Sequence, residues 1–175
     1  MSRGYFLNSD ILEAFMRGFF GYGNLKSRVW FIGMEEGGGN RLKEVHDRLR
    51  AWNRRGRKQI EDAAAFHIQI KMDNLFLVKN GAGPTIQGTW RKLILVVLAC
   101  RGNESLANKQ LLREGVREFQ RTTFGRQNAC IAALELFPLP SPSRKAWNYG
   151  CGQGAPERRW TTFDRRQLEL PVNDN

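Results

Sequence analysis

Two apolar runs with the composition of β-strands lie far apart in the 175-residue chain, at Val29–Ile32 and Ala129–Phe137. Their apolar residues are consecutive rather than alternating, which predicts strands that are buried on both faces. The segments between them contain apolar residues at helical spacing. Buried strands separated by helices favour an α/β fold, in which a central, mostly parallel sheet is flanked by helices in a three-layer sandwich.

Helical patterns and chain breaks complete the expected organisation. Residues 61–76 favour neither helix nor strand. Pro138–Ser143 is expected to end the second strand, because proline cannot donate to a sheet ladder. Without repeats or an interdomain linker, the chain reads as a single domain over residues 1–175, with a poorly defined polar and basic tail from about 150 to 175. The predicted helices are Ile11–Phe19, capped by Ser9 or Asp10; Arg41–Trp52; Trp90–Ala99, capped by Thr89; and Asn108–Phe119.

The charge balance indicates a polyanionic partner. Lysine and arginine number 28 against 17 acidic residues, a formal net charge of +11, and nucleic acid is the commonest partner of such a protein. No apolar run approaches the roughly 20 residues of a membrane span, and no signal peptide is expected. Three scattered cysteines fit a reducing compartment, so we expect a cytoplasmic protein. We also expect it to be a monomer. No spacing typical of a zinc site occurs.

Acidic residues lie after the first predicted strand and near the end of the second, at the edge where an open α/β sheet binds its ligands. Glu35 and Glu36 precede three glycines, Gly37–Gly39, and would repel a phosphate, so the loop is not read as a phosphate cradle. A carboxylate beside glycines suits a positive or water-bearing centre, although an exposed acidic turn would look the same. Glu135 lies in an otherwise apolar run, where a carboxylate is costly unless it is functional or paired with an arginine.

Both segments resemble motifs of the uracil-DNA glycosylase superfamily. The stretch Gly33-Met34-Glu35-Glu36-Gly37 is similar to the first motif of its single-strand-selective branch, in which a strand runs into Gly-Met-Asn-Pro-Gly. Residues 134–143, LELFPLPSPS, resemble the strand that ends in a base-reading Asn, is followed by Pro-Leu and leads to a serine-proline loop. Glu36 replaces the family's proline, and no histidine stands in a His-Pro-Ser-type motif.

The resemblance implies roles for particular residues, with no metal or cofactor needed. Glu35 takes the place of the family's water-activating residue, with Glu36 beside it, and Glu135 takes the place of the base-reading Asn. Possible stacking partners of an extruded base are Trp52, Phe66, Phe76 and Trp147. The residues expected to bind the base are Gly33, Met34, Gly37, Glu135 and Phe137. The residues expected to contact the DNA backbone are Ser141, Ser143, Arg144, Lys145, Arg54, Arg55, Arg57 and Lys58, with Lys26 as a further possibility.

The residue types also indicate a reaction and a substrate. Cleavage of an N-glycosidic bond builds positive charge on the sugar, which a carboxylate such as Glu35 can stabilise. An ionised Glu135 only accepts hydrogen bonds, which suits the exocyclic amine of cytosine, and the three glycines would leave room for a substituent. A modified cytosine in phage DNA is therefore the expected substrate. The alternatives are a nuclease with Glu35, Glu36 and Glu135 as metal ligands, and a DNA-binding protein without catalysis.

Overall fold

Five helices and four strands make up the part of the chain that the computed structural model describes, residues 7–39, 41–78, 81, 83–102 and 108–141. A 3-10 turn lies at Asp73–Leu75. The helices are α1 (Ser9–Gly18), α2 (Leu42–Arg54), α3 (Ala63–Gln69), α4 (Gly88–Cys100) and α5 (Lys109–Thr122). The strands are β1 (Gly21–Tyr22), β2 (Val29–Gly37), β3 (Ile60–Glu61) and β4 (Ile131–Ser141).

The four described strands form one sheet in the order β2-β4-β1-β3. The long strands β2 and β4 are parallel, as are the two-residue strands β1 and β3, whereas β1 is antiparallel to β4. The expected mixed α/β architecture with a mostly parallel sheet is thus confirmed. Because β2 and β4 carry the two motifs and run side by side, the segments that follow both predicted strands meet at one edge of the sheet.

The core lies between the sheet and the helices that pack on it. Ile131 and Ala133 of β4 are almost fully buried, and they share one cluster with Phe15 of α1 and with Phe19, which follows that helix. Phe15 and Phe19 stack at 4.7 Å between ring centroids, and Phe15 contacts Trp52 of α2 edge-on. Among the described residues no helix is long and apolar enough to cross a membrane.

Strand β4 continues through the prolines, so the expected break after Phe137 is wrong. Glu35 pairs with Phe137 and Gly37 with Ser141, which places two extra residues on β4 and marks a bulge. Prolines are tolerated at bulges and at strand edges. On its other side β4 pairs with β1 only at Ala133 and Leu134, so the proline segment has β2 as its single described neighbour.

Helix starts differ from the predicted ones by a few residues. Asn8 caps α1 with its side chain, and Gln87 caps α4, in place of the expected Ser9 or Asp10 and Thr89. The ambiguous segment 61–76 forms the end of β3, then α3, capped by Asp62, and the 3-10 turn. The predicted tail from about 150 to 175 lies outside the described residues.

Candidate active site

A cleft lies alongside the paired strands, from Phe31 to Gly37 on β2 and from Ala133 to Glu135 in the first half of β4. It reaches the carboxyl end of β2 but not that of β4, where the sequence also predicts the ligand site. Its volume is about 330 Å³, at the small end of the range for ligand pockets, so it fits a group of the size of a nucleobase. The first predicted motif contributes Gly33, Met34, Glu36 and Gly37 to its lining, and the second contributes Glu135. The other lining residues are Phe31, Ile32, Ala133, Leu134, Gln87, Thr89, Trp90 and Leu93.

Glu36 is anchored in the lining of the cleft by hydrogen bonds. The residue is 9% exposed, and its carboxylate accepts hydrogen bonds from three buried groups. The Tyr22 hydroxyl lies 2.9 Å and the Arg48 Nε 3.3 Å from Oε2, and the His67 Nε2 lies 2.8 Å from Oε1. These donors come from β1, α2 and α3, so the carboxylate ties three elements to the end of β2.

The surroundings of Glu36 keep it ionised. Burial alone would raise the pKa of its carboxyl group, but Arg48 and His67 outweigh burial and hold the pKa well below its usual value of 4.5. Burial and the negative charge of Glu36 raise the pKa of Tyr22 well above 10.0, so the phenol remains a donor. The lining of the cleft therefore includes an ionised carboxylate, with Arg48 as its buried counter-ion.

His67 contacts a protein oxygen with each of its ring nitrogens. Its Nδ1 lies 2.7 Å from the Ala63 carbonyl oxygen, and its Nε2 lies 2.8 Å from the ionised Glu36. Each ring nitrogen therefore has a hydrogen-bond partner within the protein, and the two contacts fix the orientation of the ring. Sequence reasoning missed Tyr22, Arg48 and His67. The position of Arg48 in the sequence could have indicated a buried charge, because it falls on the apolar face of α2 beside Val45, Leu49 and Trp52.

Glu135 faces the same cleft from β4 and depends on a glycine opposite it. Gly33 is its partner in the parallel ladder, and a Cβ atom at Gly33 would lie 2.6 Å from the Glu135 Oε2. The carboxylate thus occupies the space that a side chain at residue 33 would fill. Its charge also raises the pKa of Tyr22, after burial and the larger effect of Glu36, so the two carboxylates share one electrostatic environment.

The remaining predicted residues of the first motif have separate positions. The backbone of Glu35 lies in β2 opposite Phe137, and its side chain is outside the described part of the structure, so its catalytic role stays a prediction. Of the three glycines only Gly37 lines the cleft. Gly38 and Gly39 turn the chain with φ angles of 118° and 73°, and the Gly39 N–H donates to Glu44 of α2 at 2.8 Å. Those two glycines make a turn, not space for a substituent.

The predicted stacking residues are not at the cleft. Trp52, Phe66 and Phe76 are at most 2% exposed and belong to the core, and none of them lines the cleft. Trp147 lies outside the described residues. Trp90, which the sequence analysis placed only in a helix, lines the cleft and packs on His67 with ring centroids 5.2 Å apart.

The predicted DNA contacts differ in exposure and in position. Arg54, Arg57 and Lys58 are exposed, whereas Arg55 pairs with the fully buried Glu61 at 2.8 Å and has a structural role. Ser141 is 3% exposed at the end of β4, which argues against a phosphate contact. Ser143, Arg144 and Lys145 lie outside the described residues. Phe137, which the sequence predicts to bind the base, does not line the cleft. Lys26, a further possible contact of the DNA backbone, precedes β2 at the opposite edge of the sheet.

Metal-ligand geometry gives no support to the nuclease alternative. Among the described residues, no group of three or more His, Cys, Asp or Glu side chains could hold a metal ion. Both Glu36 oxygens already accept hydrogen bonds from protein groups.

Comparisons with protein-family models, with curated proteins and with solved structures found no match for this chain.

Proposed function

We propose that this protein is a DNA glycosylase that hydrolyses the N-glycosidic bond of a base held in the cleft. The observation that carries the proposal is the convergence of Glu36 and Glu135, one from each predicted motif, on a single base-sized cavity alongside two parallel strands. A glycosylase needs an anionic group for the sugar and a polar group that reads the base, and the two carboxylates can supply them.

Glu36 is suited to stabilise the sugar. The bond breaks with the development of an oxocarbenium-like positive charge, and a buried, ionised carboxylate favours that charge most strongly when water is excluded. Three of the roughly four acceptor sites of the carboxylate are used by protein donors, which leaves one for a water molecule. Glu35 remains a second candidate for positioning that water.

Glu135 is suited to recognise the base. An ionised carboxylate only accepts hydrogen bonds, so it favours the exocyclic amine of cytosine over the carbonyl oxygens of uracil. Trp90 and Leu93 of α4 provide apolar surface on the lining of the same cleft. Since removal of normal cytosine would damage the cell's own DNA, we propose a modified cytosine, such as that of phage DNA, as the substrate.

Formation of abasic sites in DNA of defined composition tests the proposal. Oligonucleotides that contain cytosine, 5-substituted cytosines or uracil are incubated with the protein, and strand cleavage after alkali measures base loss. We expect base loss from a 5-substituted cytosine. The variants Glu36→Gln and Glu135→Gln should lose at least about a hundredfold in rate, in the range of general acid–base and electrostatic contributions.

Matched controls separate the site from the fold. Glu114→Gln changes an exposed glutamate of α5 and should react at the wild-type rate. Glu35→Gln tests the second candidate in the same assay. Activity confined to uracil, or full activity of Glu135→Gln, would refute the role of Glu135. DNA binding without base loss from any substrate would instead favour a non-catalytic DNA-binding protein.

A further inference from the structure

A basic groove runs along the exposed side of α2 and the end of α3, which we call the α2 groove. Its volume is about 280 Å³. Four basic side chains line it, with Asp47 as the one carboxylate along its described lining. The basic residues are Lys43, Arg50, Arg54 and Lys71.

Three of these cations are available to a ligand. Lys43 is paired with Asp47 one turn away on α2. Arg50, Arg54 and Lys71 are exposed and form no ion pair with another described residue. Arg50 and Arg54 lie on one face of α2, about 6 Å apart along the helix axis. Lys71 approaches them from a turn with a left-handed φ of 65° after α3.

A third cavity lies between the α2 groove and the candidate active site. A smaller cavity of about 260 Å³ shares Asp47 and Ile70 with the α2 groove and Gly37 with the cleft. Helix α2 begins after β2, and β3 follows its end at the opposite border of the sheet. Because β3 runs antiparallel to β4, α2 crosses the edge of the sheet at which β2 ends.

We propose that the α2 groove binds the phosphodiester backbone of the DNA strand whose base enters the cleft. The inference rests on the proposed function for its choice of DNA. Arginine and lysine neutralise phosphates and release condensed counterions, which supplies most of the sequence-independent affinity for DNA. Arg50, Arg54 and Lys71 lie one cavity away from the base-sized cleft, so they would bind the phosphates of nucleotides that flank the extruded base. Arg54 was expected from the sequence, whereas Arg50 and Lys71 come from the fold.

Salt-dependent DNA binding of two matched triple variants tests the α2 groove. The groove variant combines Arg50→Gln, Arg54→Gln and Lys71→Asn, since asparagine tolerates a positive φ. The control variant combines Arg28→Gln, Arg113→Gln and Lys109→Gln, which removes the same charge from exposed sites that do not line the groove or the cleft. Fluorescence anisotropy with a labelled single-stranded oligonucleotide gives the affinity between about 50 and 200 mM salt.

We expect the groove variant to bind at least about tenfold more weakly than the wild type at the lower salt concentration. The slope of log affinity against log salt should become shallower by about 2, the value for three lost single-strand phosphate contacts. Wild-type affinity of the groove variant, or an equal loss in the control variant, would overturn the proposal. Circular dichroism melting curves check that both variants are folded. Groove-dependent binding without base loss would reject the proposed reaction and still support the α2 groove.

Discussion

Gly33 is the residue at which the cleft is most sensitive to a small change. Its backbone does not require a glycine, but an added Cβ would lie 2.6 Å from the Glu135 carboxylate. Gly33→Ala should therefore displace the end of the Glu135 side chain and lower base-release activity at least about tenfold. The free energy of unfolding should change by less than about 1 kcal/mol, because a flexible side chain gives way.

Gly115→Ala provides the matched control for Gly33→Ala. Gly115 lies in α5 and does not line the cleft, and an added Cβ there would meet no atom within 4 Å. Activity should stay at the wild-type level, and the protein should melt at no lower temperature, because alanine favours a helix more than glycine does. Equal loss of activity in the two alanine variants would contradict the importance of the space that Gly33 leaves for Glu135.

Glu36 links the charge of the cleft to the stability of the fold. Glu36→Gln leaves the buried Arg48 and His67 without their anionic partner, so we expect the free energy of unfolding to fall by about 3 kcal/mol near neutral pH. The folded-state pKa of Glu36 lies below its usual value of 4.5, so its contribution is complete above about pH 4.5 and is lost as the pH falls toward the folded-state pKa.

Urea unfolding of the wild type and Glu36→Gln from pH 7 to pH 3 measures this contribution. The gap between the two proteins should narrow as the pH falls below about 4.5. Glu114→Gln, at an exposed position, should follow the wild type throughout. A gap of constant size would mean that Glu36 stabilises the fold by packing and not by its charge.

The sequence indicates which carboxylates belong to the site, but not what holds them. Glu36 and Glu135 stand out because they interrupt apolar and glycine-rich runs at strand ends. His67 lies in a short helix far from both motifs along the chain, and only the packing of α3 against the sheet brings it within 2.8 Å of Glu36. Such long-range hydrogen bonds have no local sequence pattern.

At the scale of elements, α5 positions the wall of the cleft that α4 provides. Gln120 of α5 is fully buried and donates to the carbonyl oxygens of Leu75 and Thr85 at 2.8 and 2.9 Å. Its own oxygen accepts from the Gln87 backbone N–H at 3.0 Å, and Gln87 caps α4 just before Trp90. One side chain therefore fixes the loop that leads into the cleft.

Gln120→Leu should lower the free energy of unfolding by about 3 kcal/mol, because it leaves one buried donor and two acceptors without their partner. Chemical denaturation measures this loss, and Gln110→Leu on the exposed start of the same helix should cost less than about 0.5 kcal/mol. Because Trp90 lines the cleft, Gln120→Leu should also weaken binding of DNA with the preferred base. Unchanged stability would show that the loop is held by other contacts.

Elements with a strong apolar period were predictable, and those without one were not. The helices α1, α2, α4 and α5 and the cores of β2 and β4 follow their patterns. The two-residue strands β1 and β3 are too short to show a period and exist only through pairing with β4 and with each other. The prolines in β4 are accommodated by a bulge that depends on the neighbouring strand.

At the scale of the whole molecule, an acidic cleft is set in a strongly basic protein. The net charge of +11 attracts a polyanion, whereas the cleft itself presents the carboxylates of Glu36 and Glu135. In the proposed function, the positive surface and the carboxylates of the cleft act in different steps. Surface cations bind the DNA backbone and are screened by salt, but the carboxylates act on the base and sugar in a partly buried site, where screening is weak.

Salt should therefore separate binding from chemistry. Raising the salt concentration from about 50 to about 200 mM should weaken DNA binding by orders of magnitude if several phosphates are contacted. Single-turnover base release at saturating protein should change by less than about threefold over the same range, because the Glu36 charge is buried. Glu36→Gln should show the reverse, with a slower single turnover and an unchanged salt slope. If salt slowed the saturated wild-type reaction as strongly as it weakened binding, exposed cations would take part in the chemical step, and the division between surface and cleft would be wrong.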